Sequence, residues 1–380
     1  MAKKSSRREF LQGRPAAESL AEAIHAAMPP ATPGASSPQP PSGTYLIHVS
    51  RQAMACQFEA LFNAGGHSDV TTAGVQALEL VGALEAQLSY FRQESDISRI
   101  NRAAALEPVE VEPRLFDLLR LAMTLHRQTG GAYDITATPL WEIWGFARRK
   151  GTLPDDEAIA HAKELVGGDL VDLDPDRSTI RFRRPGVKLN LGSLGKGYAL
   201  DCAAEVLEAA GIGDFLLHAG QSSILARGTR LEAGPETAGE SRPGWTVGIP
   251  HPLRPDRRWA EVRLHHRALG TSGGAFQSFR HGGKRYVHIL DPRTGRPAEG
   301  TIAVTVLAPT AALADALSTA FFVMGPEPAR QYCTEHPEIA AIIFCERRGK
   351  AGFEAHAVGF AEDELRVAPT RVPPEEVQFG

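Results

Sequence analysis

Apolar positions recur at spacings of three and four in several stretches of this chain, the period of a helix with one buried face. The clearest stretch is 198–210, where Leu200, Ala203, Ala204 and Leu207 share a face and Gly211 supplies a C-terminal stop. The same period predicts helices around 75–91, 113–129 and 311–324. Elsewhere the pattern shortens to alternation or to brief apolar runs, predicting strands at 179–182, 187–191, 245–249, 260–264, 286–290, 302–307 and 340–344. Pro185-Gly186 marks a turn between the first two. The strands come in groups and do not alternate one by one with helices. That favours an α+β fold of mixed, largely antiparallel sheets with packed helices over a doubly wound sheet.

Composition adds limits. The chain has 380 residues, 43% of them hydrophobic, enough to bury a large core. With 41 basic against 45 acidic side chains the formal charge is −4, so no global field recruits nucleic acid or an acidic membrane. No run approaches the roughly 20 apolar residues of a membrane span. The four cysteines, Cys56, Cys202, Cys333 and Cys345, follow no metal-binding spacing and no dense disulfide pattern.

Residues 1–43 read as a separable, disordered segment ending in a linker rich in proline and serine, and residues 44–365 as the folded body. Residues 228–244 resemble an inserted loop, and 366–380 a loose tail. Ser6-Arg7-Arg8-Glu9-Phe10-Leu11-Gln12 looks like a twin-arginine export motif. Arg14, Glu18, Glu22 and His25 interrupt any apolar region behind it, so the expectation leans to the cytoplasm, with export as the alternative.

Three places carry candidate chemistry. Gly192-Ser193-Leu194-Gly195-Lys196-Gly197-Tyr198 places a glycine-rich turn and a lysine at a helix start, the arrangement in which backbone N–H groups bind phosphate. It is not a Walker A loop: Asn190 and Gly197 stand where that motif needs glycine and Ser or Thr. Asp315 and Thr319, four apart on the 311–324 helix, present two hard oxygens suited to magnesium. His288 ends a strand before the Asp291-Pro292 turn, a place for a base or a ligand. Each has a plainer reading as well: packing glycines, a carboxylate that favours its own helix, and a hydrogen-bonded structural histidine.

Taken in order along the chain, further pieces join these. They are Arg51-Gln52-Ala53-Met54, Leu88-Ser89-Tyr90-Phe91, Gly130-Gly131-Ala132-Tyr133-Asp134-Ile135-Thr136, Thr271-Ser272-Gly273, and His288-Ile289-Leu290-Asp291-Pro292. Together they resemble the ApbE-type flavin transferases, which move FMN from FAD onto a threonine or serine of an acceptor protein. The resemblance implies a flavin pocket lined by Met54 and Tyr90, with Ser272 and Ile289 in matching segments and FAD held by Asp134 and Thr136. It also implies Lys196 near the phosphates, magnesium on the Gly195 carbonyl, Asp315 and Thr319, and His288 as the base for the acceptor hydroxyl, oriented by Asp291 or a neighbour.

The chain departs from the family pattern at Asn190, at Leu194-Gly195, at His218-Ala219-Gly220-Gln221 and at Gly274-Ala275-Phe276. Those departures bear on the acceptor side more than on FAD. They leave a magnesium-dependent FAD pyrophosphatase and a non-catalytic flavin carrier as alternatives.

Overall fold

A computed structural model describes residues 45–67, 69–231, 243–274, 277–347, 352–367 and 377–379. The segment 1–43, with its twin-arginine-like motif, lies outside the described residues, as does most of the 228–244 loop.

Among the described residues, one sheet of nine strands runs through the centre in chain order: β1 (Leu46–Ala53), β2 (Cys56–Asn63), β3 (Phe215–Ala219), β4 (Ser223–Arg227), β5 (Ala268–Gly273), β6 (Thr301–Ala308), β7 (Ala340–Glu346), β8 (Phe353–Val358) and β9 (Val377–Phe379). Neighbours pair antiparallel except β8 and β9. Both faces of the sheet are covered, which explains why β7 reads as an unbroken apolar run. Ala341 and Ile343 face the helices, while Ala340, Ile342 and Phe344 join a second core with Trp245, Trp259 and Val262. That second core is closed by a three-stranded sheet of Trp245–His251, Arg254–Leu264 and Leu365–Val367.

The helices are α1 (Val70–Leu88), α2 (Asp96–Ala103), α3 (Pro113–Gln128), α4 (Thr138–Ile143), α5 (Asp156–Lys163), α6 (Gly195–Ala209), α7 (Ala311–Met324) and α8 (Pro326–Glu335). Helix α7 packs on β5 and β6, and α6 lies between α1 and α7. The contact of α6 with α7 is close enough that a Cβ on Gly197 would stand 2.1 Å from the Ala311 carbonyl oxygen. Only glycine fits there.

Four expectations need correction. The 187–191 segment forms no strand and belongs to no sheet. The Asn101 side chain takes both hydrogen bonds of Leu189, at 2.7 and 2.9 Å, so its polar groups are satisfied without a partner strand. The 286–290 strand is split into Lys284–Val287, which pairs with Ser278–His281, and Leu290–Asp291, which pairs with Arg296–Pro297, because the chain changes partners between them. Helix α6 begins at Gly195, three residues before the expected start, for a reason that lies in the site. Residues 365–367 and 377–379 form paired strands inside or beside the segment expected as a tail, with Leu365 and Val367 packed on the second core.

Candidate active site

At one end of the sheet the turns and strand ends surround a cleft of about 490 Å³. Met54 enters from the β1–β2 turn, where Met54 and Ala55 both hold left-handed backbone, φ 48° and 60°. Two consecutive residues with positive φ form the tight hairpin turn that matches the twist of the flanking strands. The far wall is Tyr133, Asp134, Ile135 and Trp141, and the floor includes Asn190, Ser193 and Lys196. Ser222, Ser272, His288, Ile289, Asp315, Ser318 and Thr319 complete it.

Asp315 is the electrostatic centre. It is buried in α7, and its carboxylate accepts the Ser223 hydroxyl at 2.7 and 2.8 Å and the Gly197 backbone N–H at 2.8 Å. That last bond explains the early start of α6. Leu194 gives no side-chain cap, and the Asp315 carboxylate takes over from α7 the role that a capping side chain usually plays. The arrangement is reciprocal, because Asp201 of α6 accepts the N–H groups of Ala311 and Ala312 at the start of α7, at 2.8 and 2.9 Å. Burial pushes the Asp315 carboxyl up to about 6, against the opposing pull of the Lys196 ammonium, the Ser223 hydroxyl and the Gly197 N–H. Asp201 is likewise pushed up to about 6 by burial, against its two backbone donors.

Around Asp315 hydroxyls gather. Ser272 Oγ lies 2.8 Å from Ser318 Oγ and 3.1 Å from Thr319 Oγ1. Lys196 Nζ donates to Ser222 Oγ, which fixes the ammonium at the cleft wall.

His288 sits half-buried with Nδ1 3.0 Å from the Gln277 carbonyl oxygen. A carbonyl only accepts, so Nδ1 carries the proton and Nε2 is left as the acceptor. Burial lowers its pKa below the ordinary 6.5, so the ring is neutral at pH 7. The expected partner Asp291 is engaged elsewhere: it binds the Arg293 guanidinium at 2.8 and 3.0 Å and the Arg293 N–H at 2.9 Å. The Gln277 carbonyl orients the ring instead. Gln277 is itself tied to the Phe146 carbonyl by its side-chain amide, at 2.9 Å.

Of the residues expected from the sequence, Met54, Asp134, Lys196, Ser272, His288, Ile289, Asp315 and Thr319 line the cleft. Three do not. Tyr90 stands behind Trp141, its ring edge-on at 6.2 Å and its hydroxyl donating to Glu142 at 2.5 Å. Thr136 is fully buried and donates to Asp134 from both hydroxyl and N–H, at 2.6 and 2.7 Å, so it holds the carboxylate in place. Gly195 is the buried first residue of α6 and is not among the lining residues.

The departures are also scattered. Asn190 lines the cleft, whereas His218 faces Glu59, 3.0 Å away, and Gly274 lies against Val287. Ala275 and Phe276 lie outside the described residues. Trp141, Tyr133, Ser193, Ser222 and Ser318 were not anticipated. The polar pair Ser222-Ser223, at the start of an otherwise apolar strand, was the available signal for the serines.

Fold and cleft define an α+β protein with two carboxylates, Asp134 and Asp315, one lysine and one neutral histidine among the described residues that line a nucleotide-sized recess. A family model described as the ApbE family matches residues 54–343, and the chain belongs to that family. The FAD:protein FMN transferase of Haemophilus influenzae is 30% identical over 298 residues, covering 75% of this chain and 83% of that protein. The FAD:protein FMN transferase of Klebsiella pneumoniae is 34% identical over 268 residues, covering 69% and 74%. Among solved structures, the flavin transferase ApbE from Vibrio cholerae matches with a TM-score of 0.71 at 26% identity, over 82% of this chain and 97% of that one. The ApbE protein from Thermotoga maritima matches with a TM-score of 0.70 at 28% identity, over 80% and 95%.

Proposed function

We propose that this chain transfers FMN from FAD to a threonine or serine hydroxyl of an acceptor protein, releasing AMP, with magnesium bound. The observation that carries this reading is the convergence of Asp315, Lys196 and His288 on one cleft. The acceptor oxygen bonds to the FMN phosphorus as the bond from that phosphorus to the AMP oxygen breaks. The hydroxyl proton passes to His288 Nε2, the position left unprotonated by the Nδ1 hydrogen bond. Such transfer depends mainly on positioning and charge neutralisation, and Lys196, held by Ser222, contributes one positive charge to the diphosphate.

The residues present fit magnesium. Asp315 and Thr319 would hold it, with Gly195 as the further ligand that family resemblance implies. They offer hard oxygens, and Asp315 is a buried carboxyl on the cleft wall whose ionised form a cation would stabilise. When bound, the ion supplies neutralisation of the diphosphate and of departing AMP. The other residues position. Met54 and Trp141 flank the recess as apolar walls, and Thr136 with His126 locks the Asp134 carboxylate.

Mass spectrometry of a candidate acceptor, incubated with the protein, FAD and Mg²⁺, tests the reading. An FMN adduct on one hydroxyl residue, absent when that residue is alanine, is the expected result. An unmodified acceptor together with FAD cleaved to FMN and AMP would replace transfer by hydrolysis.

A further inference from the structure

One wall of the cleft holds a hydroxyl without a partner. Thr138, the first residue of α4, lines the cleft and is only 1% exposed. Its Oγ1 is buried and makes no hydrogen bond among the described residues. A threonine at a helix start ordinarily caps an N–H of the first turn or bonds back to a carbonyl one turn earlier. Thr138 does neither. The Trp141 N–H that it could cap is bonded to the Ala137 carbonyl at 3.1 Å, and the Asp134 carbonyl one turn earlier takes the Ala137 N–H at 3.3 Å. A buried hydroxyl with its bond unmade costs free energy, a cost that a valine of the same shape would avoid.

The other polar side chains of this wall are satisfied. The Tyr133 hydroxyl accepts from Ser193 Oγ at 3.1 Å. The Thr136 hydroxyl donates to Asp134 at 2.6 Å and accepts the Gly167 N–H at 2.8 Å. The Asp134 carboxylate also takes the Thr136 N–H at 2.7 Å and faces His126 Nδ1 at 3.2 Å. Beside Thr138 the lining is apolar, formed by Ile135, Ala137 and Trp141. Thr138 and Trp141 stand three residues apart on α4, which makes them neighbours on one helical face. An indole ring with one unengaged hydroxyl beside it suits a flat heteroaromatic ring, whose faces are apolar and whose edge carries nitrogen and oxygen. A diphosphate has its complement elsewhere in the cleft, at Lys196.

We propose that Thr138 is a specificity-determining residue, its hydroxyl bonding the polar edge of one ring of the bound dinucleotide while Trp141 packs against that ring. The inference rests on the transfer reading for the identity of the ligand, FAD. Threonine populates two χ1 rotamers in a helix, so rotation about one bond carries the hydroxyl from its closed position to the ring as the ligand arrives. The hydroxyl donates or accepts as the ring edge requires. The bond missing from the free protein is made on binding, and a ligand without that edge leaves it unmade.

The test uses the full chain and two variants, Thr138→Val, which removes the hydroxyl and keeps the shape, and Thr138→Ser, which keeps the hydroxyl. Each is titrated by calorimetry with FAD and, separately, with FMN and with ADP, and its melting temperature is recorded without ligand. Thr138→Val is expected to bind FAD about tenfold more weakly, and Thr138→Ser to stay within about twofold of the native protein. Thr138→Val should at the same time melt no lower than the native protein, because it removes a buried hydroxyl that has no partner. FMN or ADP, whichever reproduces the loss, carries the ring. Native FAD affinity in Thr138→Val, an equal loss in both variants, or a loss with FAD that neither FMN nor ADP reproduces overturns the proposal. A lower melting temperature in Thr138→Val also overturns it, since the hydroxyl would then be bonded already in the free protein. The expected pattern of FAD binding in a native protein that modifies no acceptor refutes the transfer reading alone, whereas a native protein that binds no FAD overturns both.

Discussion

The backbone N–H of Gly197 donates to the Asp315 carboxylate at 2.8 Å, joining the first turn of one helix to the middle of another. Glycine permits the approach, and the carboxylate satisfies an N–H at the helix start that would otherwise be buried without a partner. Asp201 returns the interaction at the start of α7. The group expected to hold magnesium is therefore also part of the clamp between the two helices. Chemistry and stability meet at Asp315.

Gly197→Ala should be costly. Its Cβ would fall 2.1 Å from a backbone oxygen and 2.6 Å from the Ala312 nitrogen, atoms that cannot rotate away. We expect a loss of about 3 kcal/mol, the upper end of the overpacking range. Thermal unfolding measures it, and an unchanged melting temperature would show that the helices separate easily.

The pH dependence of magnesium binding follows from Asp315. Its carboxyl rises from 3.8 to about 6 on folding, so its contribution to stability is present below pH 3.8 and is lost as pH rises through about 6. Asp201 adds in the same direction and window. Magnesium binds the ionised form, so its stabilising effect should be larger at pH 7.5 than at pH 5, where apparent affinity falls about tenfold. Melting curves with and without Mg²⁺ at the two pH values check this. An equal shift at both would remove Asp315 from the metal site.

His288→Asn should leave FAD affinity nearly unchanged and depress acceptor modification by about 10²–10⁴. Because the ring's pKa lies below 6.5, the acid limb of the rate profile should lie below pH 6.5 in the native protein. A rate that keeps its acid limb in the variant would assign that limb to another group. Single-turnover rates across pH, with FAD binding followed by fluorescence, separate the two steps.

Trp141→Ala removes the aromatic wall against which Tyr90 packs. Weaker FAD binding by about 1 kcal/mol or more is expected from the lost ring contact. Calorimetry at saturating Mg²⁺ measures it, and unchanged affinity would place the flavin elsewhere in the cleft.

Much of this was legible because it is local. The 3.6-residue period placed α1, α3, α6 and α7 to within a few residues, and the i, i+4 spacing marked Asp315 and Thr319 on one face. Partners far apart in sequence were not legible. Ser223 is 92 residues from Asp315 and Gly197 is 118, so nothing near either one announces the bond. The 187–191 segment misled because apolar alternation records burial, and burial here is met by the Asn101 side chain, with no neighbouring strand. Asp291 misled through proximity: two residues on, Arg293 competes for the same carboxylate and wins. Tyr90 was placed in the right neighbourhood, but Trp141 occupies the surface it was expected to present.

The most direct test of the central claim is the stoichiometry of AMP release. Purified protein is incubated with FAD and Mg²⁺, with and without an acceptor, and AMP is quantified beside the flavin fluorescence of the acceptor band. The account predicts that AMP appears only with acceptor, one for each flavin attached, and that Asp315→Ala and His288→Asn abolish both signals together. AMP released at the same rate without acceptor, or FAD bound with neither AMP nor labelled acceptor formed, would contradict it.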